Sequence, residues 1–534
     1  MKLEADRVLI GIALAISAVA IFVYTKQVAL AWSYTPDDAF IWFRYAQNLA
    51  AGNGITFNAE GPRAEGYTGF LWLWIMAVPH WLRSDPVVFS KWVGMALAAG
   101  TFALTFRIAM ELSDSADRGM RWVAAALAIL LLTASLMVPA HSVSGMETIL
   151  YAFLLLLLFY LEFLLGERGD PGVIRALPVV GLLVGLARPE GVLATCCVLC
   201  AALWQAPPSV RARLFRSTLI AFVLPGAIYF AWRFNYYGVP LPLTFYVTTL
   251  THSGTTGWEK FQDFAVAVGM TTGLLFAIGG VANRRRIPGA LAAIVILTLF
   301  YIVPTHRIPH QSRYFFPALP LMCAVAGSGV SALVHAVGKL LAAGERGRRW
   351  AFAVLAVATA TIFGVNHSKL GKDGAIEAAG GLIYYNLMFE ARHVRLGKEL
   401  AKISGDLDHR PSLAIGDAGA VPYYSGWHAI DSFGLNDSHI ALTGDHDPQY
   451  ILQQSPDLVI IRAWSAKPLN PMFDWGQEHY DACLAAGMEV IRIFGSKPYV
   501  LLVMGDPDSE IAGRLREIAA ERAEKRRQRR ASPR

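Results

Sequence analysis

The sequence predicts a polytopic α-helical membrane protein that carries a small C-terminal α/β domain. Three observations predict it. Of 534 residues 55% are hydrophobic and only 16% charged, against about 25% charged in a soluble chain. The apolar residues lie in long runs rather than in alternation, as membrane spans require. The stretch from residue 373 to 505 breaks that habit, with short β-type runs between helical ones. Such a composition excludes a disordered or fibrous chain, and five cysteines are too few for a disulfide scaffold. A net charge of +7 spread over loops and tail reads as membrane topology rather than nucleic-acid binding.

Eleven spans are expected, near 8–32, 86–108, 122–140, 147–165, 176–189, 191–205, 217–234, 263–282, 287–304, 314–338 and 350–366. The first follows Lys2 and Arg7 and is longer than a signal peptide's core, so it reads as a retained anchor. Residues 69–83 are apolar but short and contain Pro79. Counting them as a span would place the triple arginine 284–286 outside. Leaving them out puts seventeen basic residues in inside loops and eight outside, as the positive-inside rule favours. They are therefore expected to be a juxtamembrane or re-entrant segment. The N-terminus is then cytoplasmic, and everything after 366 is extracytoplasmic.

In the C-terminal region β-type runs occur at Ser412–Asp417, Asp457–Ala463, Met488–Phe494 and Tyr499–Met504, with a helical stretch at 384–404. This gives three parts: a membrane module over 1–366, including a first outer loop at 33–85; an α/β domain over 367–505; and a charged, flexible tail over 506–534, either a frayed helix or disordered. Cys197 and Cys200 have CxxC spacing but lie in an apolar helix, and read as small buried hydrophobes. No zinc-type spacing occurs. The sequence requires no cofactor, and leaves room for a divalent metal without identifying its ligands.

The chemistry concentrates at the expected outer face. Asp37 and Asp38 follow the first span directly. Thr35-Pro36-Asp37-Asp38 also reads as a helix start, with a capping residue, proline at the first position and acids at the positive end of the dipole. A carboxylate fixed in that way, under apolar walls, can take a proton from an attacking sugar hydroxyl, and a neighbouring one can raise its basicity. On the same side lie the acids Glu65, Glu147 and Glu190 and the bases Arg188, His306, Arg307 and Arg313, with Arg44, Tyr67, His141, Tyr246, Tyr314 and Asp417 around them. Ionisable groups at a membrane face usually have a partner or a ligand. Arginines suit phosphate, aromatics suit sugar faces or isoprenoid, and carboxylates suit hydroxyls. We therefore expect Asp37 and Asp38 to be catalytic and Arg188, His306, Arg307, Arg313 and Tyr314 to hold a donor phosphate. Arg44, Glu65, Tyr67, His141, Glu147, Glu190, Tyr246 and Asp417 are the expected substrate contacts; the segment Ser412–Asp437, with Tyr423, Tyr424 and Trp427, reads either as ordinary domain core or as a contact of the acceptor.

The first loop, DDAFIWFRYAQNLAAGNGITFN…EGYTGFLW, with SGMET (144–148), ARPEG (187–191), YYGVPLPLTFY (236–246), SRYFFPALP (312–320) and DAGAVPYYSG…IDSFGLND (417–437), resembles the terminal β-(1→2)-arabinofuranosyltransferase family of mycobacterial-type cell walls. That family belongs to the GT-C class of polyprenyl-phosphate-sugar glycosyltransferases. The resemblance implies a GT-C fold and inverting transfer of a sugar from a polyprenyl-phosphate donor. The sugar would be arabinofuranose, and the acceptor a glycan or glycoprotein of the cell envelope outside the inner membrane. It also implies a catalytic role for the Asp37–Asp38 pair. This chain lacks the large carbohydrate-binding extensions of some relatives, which leaves lipopolysaccharide, capsule or a pilin-like protein as acceptors beside arabinan. Two rival classes remain on sequence: a transporter or flippase for a lipid-linked or small polar substrate, although no internal repeat of the transporter kind is visible, and a non-catalytic partner in an envelope complex.

Overall fold

The computed structural model describes residues 2–113, 118–134, 136–250, 256–302, 312–340, 344, 347 and 375–531. The expected span 350–366 and the residues His306 and Arg307 lie outside the described residues. Among the described residues five helices are long and apolar enough to cross a membrane: Asp6–Ala31 (the apolar part of the helix Lys2–Ala31), Pro86–Leu112, Thr148–Gly166, Pro208–Tyr237 and Phe316–Val337. Shorter apolar helices occupy Pro171–Ala187, Gly191–Gln205 and Pro288–Ile302, where spans were expected. Two expected spans are bent. Arg118–Leu132 and Met137–Val143 meet at 68°, and Gly257–Val268 and Met270–Asn283 at 91°. The second bend falls at Gly269, whose φ of 80° is open to glycine but costly for other residues. Segment 69–83 is a helix, Phe70–Trp81, of 12 residues. At 1.5 Å per residue it is too short to cross a bilayer of about 30 Å.

Small residues let the helices close on one another. Met270–Asn283 crosses Leu319–Leu340 where a Cβ on Gly329 would stand 2.1 Å from the Leu275 carbonyl oxygen, so only glycine permits the approach. Of the two cysteines expected to be buried, Cys197 is half-buried and Cys200 is exposed on the helix Gly191–Gln205, because the Cys200 face of that helix points out of the bundle.

The C-terminal domain is one mixed sheet in the order β2-β1-β3-β6-β5, with β4 paired to β3. β1 (Ser412–Ile415) runs parallel to β2 (His428–Asp431) and β3 (Leu458–Ala466). β4 (Leu469–Pro471) and β6 (Tyr499–Gly505) run antiparallel to β3, and β5 (Glu489–Ser496) antiparallel to β6. Period-two alternation sorts the side chains. Leu413, Ile415, Leu458, Ile460, Leu501 and Val503 join a core that runs unbroken into Phe40, Phe43 and the membrane helices. Ala414, Val459, Ile461, Leu502 and Met504 face away, against Ile440, Ile451 and Cys483. All four expected strands are present. The two that were not expected, β2 and β4, have four and three residues.

Residues 384–404 are helical as expected, running through Ala375–Phe389 and Arg395–Ile403 with a wider π turn at Glu390–Val394 between them. The tail forms the helix Glu510–Ala531, the first of its two expected forms. Ile511, Ala512 and Leu515 on its first turns are buried, and Arg522 reaches the buried Glu399 carboxylate at 3.0 Å.

Candidate functional site

The helix Asp37–Ala50 opens the site, and its first two residues look in different directions. Pro36 stands at its N-cap and provides no side-chain bond. Thr35, expected to cap, instead accepts at Oγ1 from the buried Lys91 at 2.9 Å. Lys91 also donates to the carbonyls of Tyr34 (3.0 Å) and Val143 (2.8 Å). It thereby ties the end of the first span, the start of this helix and the turn before Glu147 to one ammonium.

The Asp37 carboxylate turns to the sheet domain. It accepts from the backbone N–H of Gly419 at 2.9 Å and of Ala420 at 2.8 Å, the open donors at the start of the helix Ala420–Ser425. The approach is close enough that a Cβ on Gly419 would stand 2.0 Å from the Asp37 carbonyl oxygen. Behind it, Asp417 accepts from His393 Nε2 at 2.8 Å and Arg462 at 2.9 Å. Burial, together with the neighbouring Asp417 and Asp38 charges, raises the Asp37 pKa to about 7, although His393 pulls the other way. Burial would raise Asp417 too, but Arg462 and His393 hold it well below the usual carboxylate range.

Asp38 turns to a cavity of about 480 Å³. Its Oδ2 accepts from Arg313 at 2.8 Å. The polar wall is completed by Glu147, Arg188, Glu190, Tyr301 and Tyr314, and the apolar wall by Ile41, Trp42, Val192, Leu193, Leu241, Phe245, Phe300 and Leu435. Arg188 bonds Glu147 at 2.5 Å through one nitrogen and Glu190 through another. Tyr301 donates to the same Glu190 oxygen. The Tyr314 ring lies parallel to that of Tyr301, 5.0 Å away, and the guanidinium carbons of Arg188 and Arg313 stand 4.9 and 5.0 Å from its centre, within cation–π range. Two arginines therefore serve three carboxylates, among apolar side chains that keep the local dielectric low.

The cavity thus gathers Asp38, Glu147, Arg188, Glu190, Arg313 and Tyr314 of the expected site. The other described residues of the expected site lie elsewhere. Arg44 spends its guanidinium on the carbonyls of Phe57 (2.7 Å), Trp427 (2.7 Å) and Pro422 and on Asn58 Oδ1 (2.8 Å), joining the first loop to the sheet domain. Glu65 is buried in a fork with Arg233. The Tyr67 hydroxyl meets that of Tyr237 at 3.2 Å. His141 packs its ring on Phe316, 4.6 Å away. Tyr246 is half-buried on a helix that offers Thr244, Phe245 and Thr248 to the cavity instead. Trp427 is core, donating to Ser404 Oγ at 2.7 Å, and Tyr423 and Tyr424 pack on Phe40. Those three aromatics pack as core where the sheet domain meets the first-loop helix, in line with the domain-core reading of that segment. Lys91 and Tyr301 went unnoticed in the sequence. Lys91 carries a legible signal, a lone ammonium inside an apolar run; Tyr301 carries none, since tyrosines are common at membrane interfaces. Among the described residues no group of three or more His, Cys, Asp or Glu comes together as a metal site.

Residues 387–511 match a family described as a domain of unknown function, DUF8728. No curated protein matches the chain by sequence. Solved structures do match it in shape. ArnT from Cupriavidus metallidurans bound to undecaprenyl phosphate superposes with a TM-score of 0.54 at 14% identity, covering 92% of this chain and 98% of that one. The same protein in the apo state gives 0.55 at 15% identity, with the same coverage. The archaeal oligosaccharyltransferase AglB from Archaeoglobus fulgidus, in complex with an inhibitory peptide and a dolichol-phosphate, reaches 0.49 at 11% identity over 84% of this chain and 69% of that one. The chain has the GT-C fold: a multi-pass helical membrane module with a small mixed-sheet domain at its C-terminal end.

Proposed function

We propose that this protein is a membrane glycosyltransferase that moves a sugar, arabinofuranose, from a polyprenyl-phosphate donor to a cell-envelope glycan or glycoprotein. The observation that carries the reading is the Asp38–Arg313 pair on the wall of an otherwise largely apolar cavity. A base and a phosphate-binding cation lie side by side, next to a surface fit for an isoprenoid chain. Asp38 takes the proton of the acceptor hydroxyl. The acceptor oxygen attacks the anomeric carbon as the bond from that carbon to the phosphate oxygen breaks, and the polyprenyl phosphate leaves with the electron pair. Arg313 stabilises the growing phosphate charge, as preorganised donors do in a site of low dielectric, and His306 and Arg307 are proposed from the sequence to assist it. One displacement inverts the anomeric centre.

Asp37 acts through position rather than proton transfer in this scheme, since its oxygens are committed to Gly419 and Ala420. The fold's likeness to ArnT, solved with undecaprenyl phosphate, supports a lipid-phosphate donor. The protein works in the bacterial inner membrane with its N-terminus cytoplasmic and the sheet domain outside, as the loop charges favour. A transporter would bind the same lipid, so turnover decides between them. Purified protein given labelled polyprenyl-phosphoryl arabinofuranose and an envelope acceptor should release polyprenyl phosphate and yield a glycoside of inverted configuration. Flux of intact donor across liposomes without product, or retention of configuration, contradicts the proposal.

A further inference from the structure

Glu147 is the most deeply enclosed carboxylate of the cavity, with relative exposure of 0%. One of its oxygens is taken by Arg188. The other, Oε2, is buried and has no hydrogen-bond partner. A buried carboxylate oxygen left without a donor forfeits a charge-assisted hydrogen bond after losing its hydration. Arg188 holds the carboxylate, and the Gly69 backbone lies near its stem, where an added Cβ would stand 3.2 Å from Glu147 Cγ. Glu147 lines the cavity, and a ligand hydroxyl, which donates one bond, is the simplest group that answers to that open oxygen.

We infer that Glu147 is a specificity residue that reads a ring hydroxyl of the donor sugar through Oε2, with Arg188 as its positioning residue. The inference rests on the proposed glycosyl transfer and adds the part of the donor that is recognised. Arg313 serves the phosphate; Glu147 serves the sugar. Arg188 contributes little to the phosphate, because two carboxylates already engage it. Bare polyprenyl phosphate therefore satisfies only half of the site.

The experiment compares binding of two probes, undecaprenyl phosphate and polyprenyl-phosphoryl arabinofuranose, to the full-length protein in nanodiscs. Wild type should bind the sugar-bearing lipid more tightly. Glu147→Gln should weaken that lipid by on the order of tenfold to a hundredfold, the loss expected for a hydrogen bond to a charged group, and leave undecaprenyl phosphate within about twofold. Retained binding of the bare lipid also shows that the variant is folded. Where Glu147→Gln does not fold, wild type is given a series of monodeoxy donors. One of them should lose a similar factor while the others bind normally. A wild-type protein indifferent to the sugar, a variant that weakens both lipids equally, or a deoxy series without a single sensitive position overturns the role of Glu147 and leaves the glycosyl-transfer reading standing. Failure of wild type to bind either lipid overturns that reading, and this inference with it.

Discussion

Adjacent residues at the start of one helix serve two regions of the molecule. Asp37 faces the sheet domain and is held by two backbone N–H groups; Asp38 faces the cavity and is held by one guanidinium. Successive positions on a helix diverge by about 100°, so the pair cannot serve one ligand from one direction. The contrast separates assembly from chemistry. At the domain junction, ties go mostly to backbone: Asp37 to Gly419 and Ala420, and Arg44 to Phe57, Pro422 and Trp427. In the cavity they run between side chains: Asp38 to Arg313, and Arg188 to Glu147 and Glu190. Backbone partners join the two domains, whereas charged side-chain partners set the charge and shape of the cavity wall.

The largest effect should come from the cavity side. Arg188→Met leaves Glu147 and Glu190 buried without their common cation, and breaking such a pair costs about 3–5 kcal/mol. Thermal unfolding of the purified protein should show a large loss of stability, and an unchanged midpoint would mean that the ions are solvated. A smaller loss is expected at the junction. Gly419→Val places a branched side chain where even a Cβ would stand 2.0 Å from the Asp37 carbonyl oxygen, and overpacking of this kind costs about 1–3 kcal/mol. Protease should then cut the sheet domain free sooner than in wild type.

A third test sharpens the contrast through pH. The Asp37 carboxyl, raised to about 7 in the fold, titrates near 4 when exposed. Its folded-state pKa is the higher one. The stability it contributes is therefore complete below about pH 4 and is lost as pH rises through 7. Asp417, held low by Arg462 and His393, has the opposite sign and changes only below about pH 4. Between about pH 4 and 7 wild type should lose stability relative to Asp37→Asn, and parallel melting curves over that range would refute the assignment. The smallest effect belongs to the exposed pair Arg410–Glu60, at 2.7 Å with side chains 43% and 79% exposed. It also joins the first loop to the sheet domain. Glu60→Gln should change stability by less than about 1 kcal/mol.

How much of this was legible follows from which interactions are local. Hydropathy located the membrane helices, because a span is a property of twenty neighbouring residues. It missed the 91° bend at Gly269, a break that the apolar run on either side conceals. Residues 69–83 were resolved by loop charge rather than by apolarity. β-type runs revealed strands of four residues or more when they were rich in branched residues, but not His428–Asp431, which pairs with β1 at the sheet edge. The acid pair was visible beside the first span, and the arginines beside the other turns. Which of them meet was not visible, since Asp38 and Arg313 are 275 positions apart. Arg44 and Glu65 show the limit of reading polar residues as ligand contacts. Both are buried and charged, and both are consumed by the chain itself.

The most direct measurement is turnover of labelled polyprenyl-phosphoryl arabinofuranose by purified Asp38→Asn beside Asp37→Asn, with binding of undecaprenyl phosphate as the check on folding. Asp38→Asn should bind the lipid and lose about 10²–10⁴-fold in turnover, the usual contribution of a general base, while Asp37→Asn keeps turnover within about tenfold of wild type. Near-normal turnover by Asp38→Asn, or a collapse confined to Asp37→Asn, would contradict the division of labour between the two acids.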